Sequence, residues 1–255
     1  ESLAGEIRRA IVPAGAVAGQ VDLAKRFYAT AAASPWIKTV RRVRRRPTVE
    51  PRLTVVEVLA EYHRPVARVQ VGRGYGYVSD AGVRLPDHQV PKYEATTSAY
   101  PGAPARRESY VRRREIPPGV RARPVHYILI YGVAGAMPAV GQPWLGPDLA
   151  DGLRLVNLVN SRKYARQITV VDVRNHAGGI DPNAPHLRMY AQTARGQSTD
   201  IRFGQFPIPG GGDYVVSPER KLSYIDRYVA RNGGRLAGIN TYLDLRYDQL
   251  HVSIN

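Results

Sequence analysis

The chain has 255 residues, of which 44% are hydrophobic, and a formal net charge of +16 at pH 7. This length suits one large domain or two smaller ones, and the hydrophobic content excludes a disordered tail. Cysteine is absent, which excludes disulfides, thiolate metal sites and a cysteine nucleophile. The excess of positive charge predicts attraction to a polyanion, whether nucleic acid, anionic lipid or an acidic protein.

The N-terminal part predicts a small α+β domain. Residues 3–11 carry apolar side chains four apart, as on one face of a helix. A second helix begins after Asp22 and ends before Pro35, because proline cannot continue the helical ladder. Residues 36–46 and 53–71 are rich in β-branched side chains, and we expect them to form paired strands.

The segment GRGYGYVSD, residues 72–80, matches much of the RNP1 motif through which RRM domains bind RNA. An RRM also needs an upstream RNP2 strand and a helix soon after RNP1, and neither is predicted here. RNA binding through Tyr75 and Tyr77 is therefore an alternative. The favoured expectation is a β-hairpin over 74–85 in which both rings pack on a core.

Residues 87–124 contain proline, threonine, alanine and arginine without a sustained period, which predicts a long exposed loop. After this loop the patterns predict a sheet-dominated domain with two helices. Strands are expected over 125–133 and 167–175, a hairpin over 186–204, helices from Asp148 and over 217–234, and a last strand from Thr241.

The last segment predicts one long strand with two different faces. Its apolar face carries Thr241, Leu243, Leu245 and Tyr247, and its polar face carries Tyr242, Asp244, Arg246 and Asp248. The second face is too polar for a core. We therefore expect it to face solvent or a partner, at an edge that another strand can extend.

No arrangement of residues predicts catalysis. The sequence has no P-loop, no G-x-S-x-G elbow and no H-E-x-x-H motif, and its six histidines are scattered without metal-ligand spacing. We therefore expect a protein that is not an enzyme, with no cofactor, no metal ion and no small-molecule substrate.

Seven segments spread over most of the chain carry motifs in a common order. They are SPWIKTVRRV (34–43), LTVVEVLAEYHRPVARV (53–69), GYGYVSDAGVRLP (74–86), ILIYGVAG (128–135), STDIRFGQ (198–205), ERKLSYIDRYV (219–229) and YLDLRYDQ (242–249). Together they resemble the FtsQ/DivIB family of bacterial cell-division proteins. The last segment, similar to the family's Y-V-D-L-R-Y strand, is the best single match.

This resemblance implies a POTRA-type α+β domain over 1–71. A larger, mainly antiparallel, curved β-sheet domain with flanking helices would follow over 72–255, including the loop at 87–124. It also implies a single-pass protein of the cell inner membrane, with an anchor upstream of Glu1 and the large domain in the periplasm. The implied role is divisome assembly by β-strand addition, with FtsB/DivIC- and FtsL-like division proteins as partners.

Two surfaces are candidates for partner binding. The C-terminal surface comprises Tyr242, Asp244, Arg246, Tyr247, Asp248 and Leu250. Arg246 and Tyr247 are the expected anchors, since arginine and tyrosine are common hot-spot residues. The second surface comprises Thr39, Val43 and Arg45 on the predicted POTRA strand, and would bind another division protein or anionic headgroups.

Two other classes of function remain as alternatives. One is a basic nucleic-acid-binding module that uses the arginines with Tyr75 and Tyr77, although we expect no specific nucleic acid. The other is a POTRA-type chaperone or export domain, which is disfavoured because no tandem POTRA repeat is present.

Overall fold

The computed structural model describes residues 3–17, 21–47, 54–98, 106–111, 122–208 and 215–253. Helices and a large multi-stranded sheet are both present, which confirms the predicted α+β class. The chain packs into two compact units. The first comprises residues 1–65, 83–126 and 139–142, and the second comprises 66–82, 127–138 and 143–255. Each unit comprises several separate segments of the chain, whereas the sequence predicted a single domain boundary after residue 71.

The first unit begins with two helices and a two-stranded ribbon. These elements are α1 (Leu3–Ala10), α2 (Leu23–Ala32), β1 (Ile37–Pro47) and β2 (Thr54–Tyr62). Both helices form where the apolar spacing predicts them. β1 and β2 pair antiparallel, with a bulge between Val40 and Arg42. α2 packs on β1, and Val40 and the neighbouring Trp36 are buried.

The run of β-branched residues at 53–71 forms two strands rather than one. It breaks at His63 and Arg64, after which β3 (Pro65–Val71) joins the sheet of the second unit. Pro65 stands at the first position of β3, where its missing N–H removes no interior ladder bond. The expected pairing of this run with the preceding strand is therefore confirmed only for its first half.

The prediction of a long loop at 87–124 is wrong, because this segment contains three paired strands. After the short β5 (Arg84–Leu85) come β6 (Tyr93–Ser98), β7 (Arg106–Val111) and β8 (Ala122–Pro124). They form a sheet in the order β7-β6-β8. Strand pairing uses backbone groups, so tyrosine, threonine and valine can form a ladder without an apolar period. The parts at 99–105 and 112–121 lie outside the described residues.

The second unit is built on a mixed sheet. After β3 its strands are β4 (Gly74–Ser79), β9 (Ile128–Tyr131), β10 (Ile168–Asp172), β11 (Leu187–Gln192), β12 (Ser198–Gly204), β13 (Tyr242–Asp244) and β14 (His251–Val252). Their order in space is β14-β13-β12-β11-β10-β9-β3-β4. β9 is parallel to both β3 and β10, and β12 is parallel to β13. The expectation of a mainly antiparallel sheet missed these parallel pairs.

Two helices make the crossovers between parallel strands. α3 (Pro147–Asn160) joins β9 to β10, and α4 (Pro218–Arg231) joins β12 to β13. Such a connection is needed because parallel neighbours cannot be linked by a tight hairpin. Both crossovers step in the same direction along the sheet, so the usual right-handed rule places both helices on one face. The helices share the buried core of this unit.

The predicted core positions of this unit are confirmed. Leu149, Leu153, Val156 and Val159 of α3 are buried, as are Leu187, Met189, Ala191, Thr199, Ile201 and Phe203 of the β11–β12 hairpin. The start of α4 also follows the prediction: the Ser217 hydroxyl accepts a hydrogen bond from the Arg220 N–H at 3.3 Å, and Pro218 occupies the first turn. Alternation in β11 and β12 therefore directs their polar residues to the face opposite the helices.

Candidate functional site

The C-terminal segment forms a short hairpin, and the prediction of one long strand is wrong. The Leu245 N–H still donates to the Arg202 carbonyl at 3.0 Å, but residues 246–249 then bend. The bend is held by α4, whose Arg220 Nη2 donates to the Asp248 carbonyl at 3.1 Å. β14 returns antiparallel to β13. The edge of the sheet is therefore β14, and β13 lies inside it.

The geometry of β14 leaves two backbone groups directed outward. Leu243 and Val252 are opposite each other, and the Ser253 N–H donates to the Tyr242 carbonyl at 3.2 Å. This spacing marks a non-hydrogen-bonded pair, in which the N–H and C=O of Val252 point away from β13. Among the described strands, only β13 pairs with β14.

Asp244 is a buried carboxylate, although it was expected on the open polar face. Arg246 donates several hydrogen bonds to it, the shortest from Nη2 to Oδ2 at 2.8 Å and from Nε to Oδ1 at 3.0 Å. Arg202 Nη1 approaches the same carboxylate to 3.8 Å. Burial alone would raise the pKa of Asp244, but the hydrogen bonds and charges of these arginines hold it below its ordinary value. The pair fixes the direction of Arg246.

An arginine–aspartate network continues from this pair across the helix-free face. The Arg202 guanidinium lies 4.0 Å from the centre of the Tyr242 ring, and its Nε donates to Asp200 at 3.3 Å. Arg188 Nη1 also donates to Asp200, at 3.5 Å. These side chains are half-buried and partnered by charge, so the surface is ordered before any partner arrives.

Tyr247 has 50% of its surface exposed and is the more accessible of the two tyrosines predicted in the C-terminal surface. Its ring meets that of His251 at a centroid distance of 4.9 Å, and the Arg246 guanidinium lies 5.5 Å from its centre. The bend at 246–249 turns Tyr247 outward, so its expected place on the apolar face is wrong. An exposed ring beside an open strand edge is suited to anchor a partner.

The structure brings the six predicted residues of the C-terminal surface into one hairpin, in different environments. Tyr242, Arg246 and Leu250 are half-buried, Asp244 is buried, and Tyr247 and Asp248 are exposed. Sequence reasoning missed Arg188, Asp200 and Arg202. The alternation of β11 and β12 was a usable signal, because it placed these residues opposite the predicted core.

The second predicted surface, in the first unit, does not form a single face. Thr39 pairs with Glu61, whereas Val43 pairs with Val58, three residues away on β2. Positions three apart on β2 point to opposite faces, so their partners on β1 also lie on opposite faces of the ribbon. The bulge near Arg41 therefore places Thr39 on one face and Val43 and Arg45 on the other. Thr39 and Arg45 are exposed and Val43 is half-buried.

The segment at 72–80 contains strand β4, and of its two tyrosines only Tyr77 is half-buried against another ring. Gly76, Val78 and Ser79 are the buried positions of β4, Tyr77 is half-buried and Tyr75 is exposed. Tyr77 meets Tyr127 edge-on at 5.2 Å between ring centres. Tyr75 is 51% exposed, with the Arg68 guanidinium 5.8 Å from its ring centre. The expectation that both rings pack on a core is therefore wrong for Tyr75.

Comparison with known proteins does not identify a family. No family model matches the chain, and no curated protein matches it.

Within the described segments, no group of three or more histidine, aspartate or glutamate side chains could hold a metal ion. None of the described helices is long and apolar enough to cross a membrane.

Proposed function

We propose that this protein is a non-enzymatic assembly protein of the FtsQ/DivIB type, which binds a strand of another division protein at β14. The observation that carries the proposal is the free outer edge of β14, with the Val252 backbone directed outward beside the exposed Tyr247. An unpaired edge offers N–H and C=O groups that a partner strand can use.

The surroundings of this edge support protein recognition. An added strand would lie beside β14 and would bring its side chains close to Tyr247 and His251. The neighbouring Arg246 is held by Asp244, so little side-chain entropy is lost when a partner contacts it. Tyrosine and arginine are frequent anchors of protein interfaces.

The wider proposal follows the resemblance of the seven segments. It comprises a POTRA-type domain near the N-terminus, a periplasmic location, a single membrane anchor, and FtsB/DivIC- and FtsL-like partners. It is supported by the order of the motifs and by the strands and helices that form in several of them, including α4 and β13.

Replacement of Val252 with proline tests the proposal directly. Proline removes the outward N–H of β14 but no hydrogen bond within the hairpin, so folding should be retained while strand addition is weakened. Val252→Ala is the matched control, since it keeps the N–H. Calorimetric titration with the FtsB/DivIC-type protein of the same organism should show weaker binding for the proline variant alone.

Tyr247→Ala tests the side-chain anchor in the same titration. We expect a loss of about 2 kcal/mol or more in binding free energy, as is typical of a hot-spot tyrosine. Tyr28→Ala, which changes an exposed tyrosine of α2, should have no effect. Unchanged affinity for both the Val252→Pro and Tyr247→Ala variants would exclude this edge as the binding site.

Nucleic-acid binding is the second candidate, because Tyr75 is exposed beside Arg68. An accessible ring next to a cation can stack on a base. This function would use β4 and not the C-terminal hairpin, so the two candidates are separable by mutation.

A further inference from the structure

A groove follows the solvent side of α4 in the second unit. It encloses about 790 Å³ between this helix and the turn at 248–250, which is a common size for a binding cleft. The principal side chains that line it are Arg220, Tyr224, Arg227, Tyr228, Arg231 and Leu250. Asp248 also lines the groove, and both Asp248 and Leu250 belong to the C-terminal surface, but strand β14 itself does not line it.

The three arginines of the groove form one straight row. Arg227 and Arg231 follow Arg220 by seven and eleven residues, and both spacings fall within about 20° of whole helical turns. At a rise of about 1.5 Å per residue, the row extends for about 16 Å along α4. All three residues are exposed.

The floor of the groove is apolar and held in place. Tyr224 and Tyr228 are buried, and their hydroxyls are used within the protein. The Tyr224 hydroxyl donates to the Asp248 carbonyl and accepts from Arg220 Nε at 2.8 Å, and the Tyr228 hydroxyl donates to Asn240 Oδ1 at 2.6 Å. The floor is therefore formed before a ligand binds.

The charge of the row is poorly compensated. Arg220 has an acidic neighbour, Asp248, at 3.5 Å, but the Asp248 side chain is 86% exposed. Arg227 donates from Nε to the Ser223 carbonyl at 3.4 Å. In the part of the chain that the structure describes, neither Arg227 nor Arg231 forms an ion pair with a carboxylate. The groove is thus complementary to a ligand with several negative charges.

We propose that this groove binds an acidic α-helical segment of another protein. A helix with glutamates at the spacing of the arginines would place all of them on one stripe, opposite the row on α4. Single-stranded nucleic acid fits less well, because stacking requires accessible ring faces and both tyrosines are buried. This inference does not depend on the proposed strand addition at β14.

The test uses two alanine-based helical peptides of the same composition. One carries three glutamates at the spacing of the arginines, and the other distributes them around the helix. Fluorescence anisotropy should show that the protein binds the first peptide more tightly. The double variant Arg227→Glu/Arg231→Glu should bind it about tenfold more weakly, since two ion pairs become repulsions.

Matched controls separate the groove from the net charge. Arg64→Glu/Arg195→Glu makes the same change in charge at exposed positions elsewhere, and should retain the affinity within about twofold. Equal binding of both peptides, or equal loss in both double variants, would overturn the proposal. So would a groove that binds an oligothymidine tightly and neither peptide, because its ligand would then be a nucleic acid.

Discussion

Lys221 is a buried cation in the core of the second unit. Its side chain is almost fully enclosed, with Nζ donating to the Gln205 carbonyl at 2.8 Å and lying 4.4 Å from the centre of the Phe203 ring. Burial lowers the pKa of Lys221 to about 8, against the opposing effect of the Asp244 carboxylate. In the unfolded chain the pKa of this lysine is the ordinary value of about 10.4.

Stability should therefore increase with pH across the interval between these two values. Between about pH 8 and 10 the unfolded state binds more protons than the folded state, and the free energy of unfolding rises wherever this holds. We expect urea titrations to show a rise on the order of 2 kcal/mol for the wild type relative to Lys221→Met. Parallel pH dependences in the two proteins would show that Lys221 is not the group responsible.

At the scale of elements, regular patterns predicted the structure well. The four α-helices of the described residues follow apolar spacing, and the β11–β12 hairpin follows strict alternation. A side-chain cap forms only at Ser217 of α4, whereas Asp22, the expected cap of α2, makes no such hydrogen bond. The failures occurred where local patterns carry no information about pairing. Alternation from Thr241 onward did not reveal the bend at 246–249, because the hydrogen bonds that hold it come from α4, distant in sequence.

The same reason explains two further errors. Strands β6 to β8 lack an apolar period, so only their backbone ladder defines them. The bulge near Arg41 adds one residue to β1, so side chains after it point to the opposite face from the one that simple alternation predicts. The spacing of residues in the sequence does not reveal such a bulge. The arginine–aspartate contacts around Asp244 also join three strands, and no local motif specifies them.

The β1–β2 ribbon combines exposed arginines with exposed apolar side chains. Arg42 lies opposite Leu59 and Arg46 lies opposite Val55, and both apolar residues are about half exposed. Hydrogen bonds from Arg44, and then from Arg46, lower the pKa of Glu57 to about 2 against the opposing effect of desolvation. Glu57 therefore stays ionised and offsets part of the charge at neutral pH.

We expect this ribbon to bind anionic membranes weakly. A basic residue near such a surface contributes about 1 kcal/mol, which corresponds to about fivefold in affinity. Because Arg42→Glu also adds a negative charge, it should reduce co-sedimentation with vesicles that contain phosphatidylglycerol by more than about fivefold. Arg195→Glu, at an exposed site in the second unit, is the control of equal charge. If binding does not vary with the anionic lipid content, the arginines serve only as a solvated surface.

At the scale of the whole molecule, the net charge of +16 has a general consequence for nucleic acids. A basic protein attracts phosphates without regard to sequence, and a protein that neutralises six or more of them loses about a thousandfold in affinity between 50 and 200 mM salt. Stacking on a ring contributes roughly 1–3 kcal/mol per base by a different route. Binding measured near 200 mM salt therefore distinguishes stacking on a ring from attraction to phosphates.

We expect neither the wild type nor Tyr75→Ala/Tyr77→Ala to hold RNA tightly at that salt concentration. The variant should be somewhat less stable, chiefly because Tyr77 loses its contact with Tyr127. Filter binding with a panel of RNA sequences measures the first result and thermal unfolding the second. A tight, sequence-dependent complex of the wild type that the variant loses would favour RNA recognition at 72–80 over the division-protein proposal.

The parallel pairing of β3 with β9 constrains the order of folding. Ala67 lies opposite Ile128, and most of the chain between them packs with the first unit. During synthesis the neighbour β4 follows β3 directly, but about sixty residues must follow β3 before β9 is available on its other side. Closing so long a loop costs entropy before the contact between β3 and β9 gives any gain. If the chain is divided within 83–126, the N-terminal fragment contains β3 and the C-terminal fragment contains its partner β9. The two units therefore cannot be produced as separate fragments by one division there.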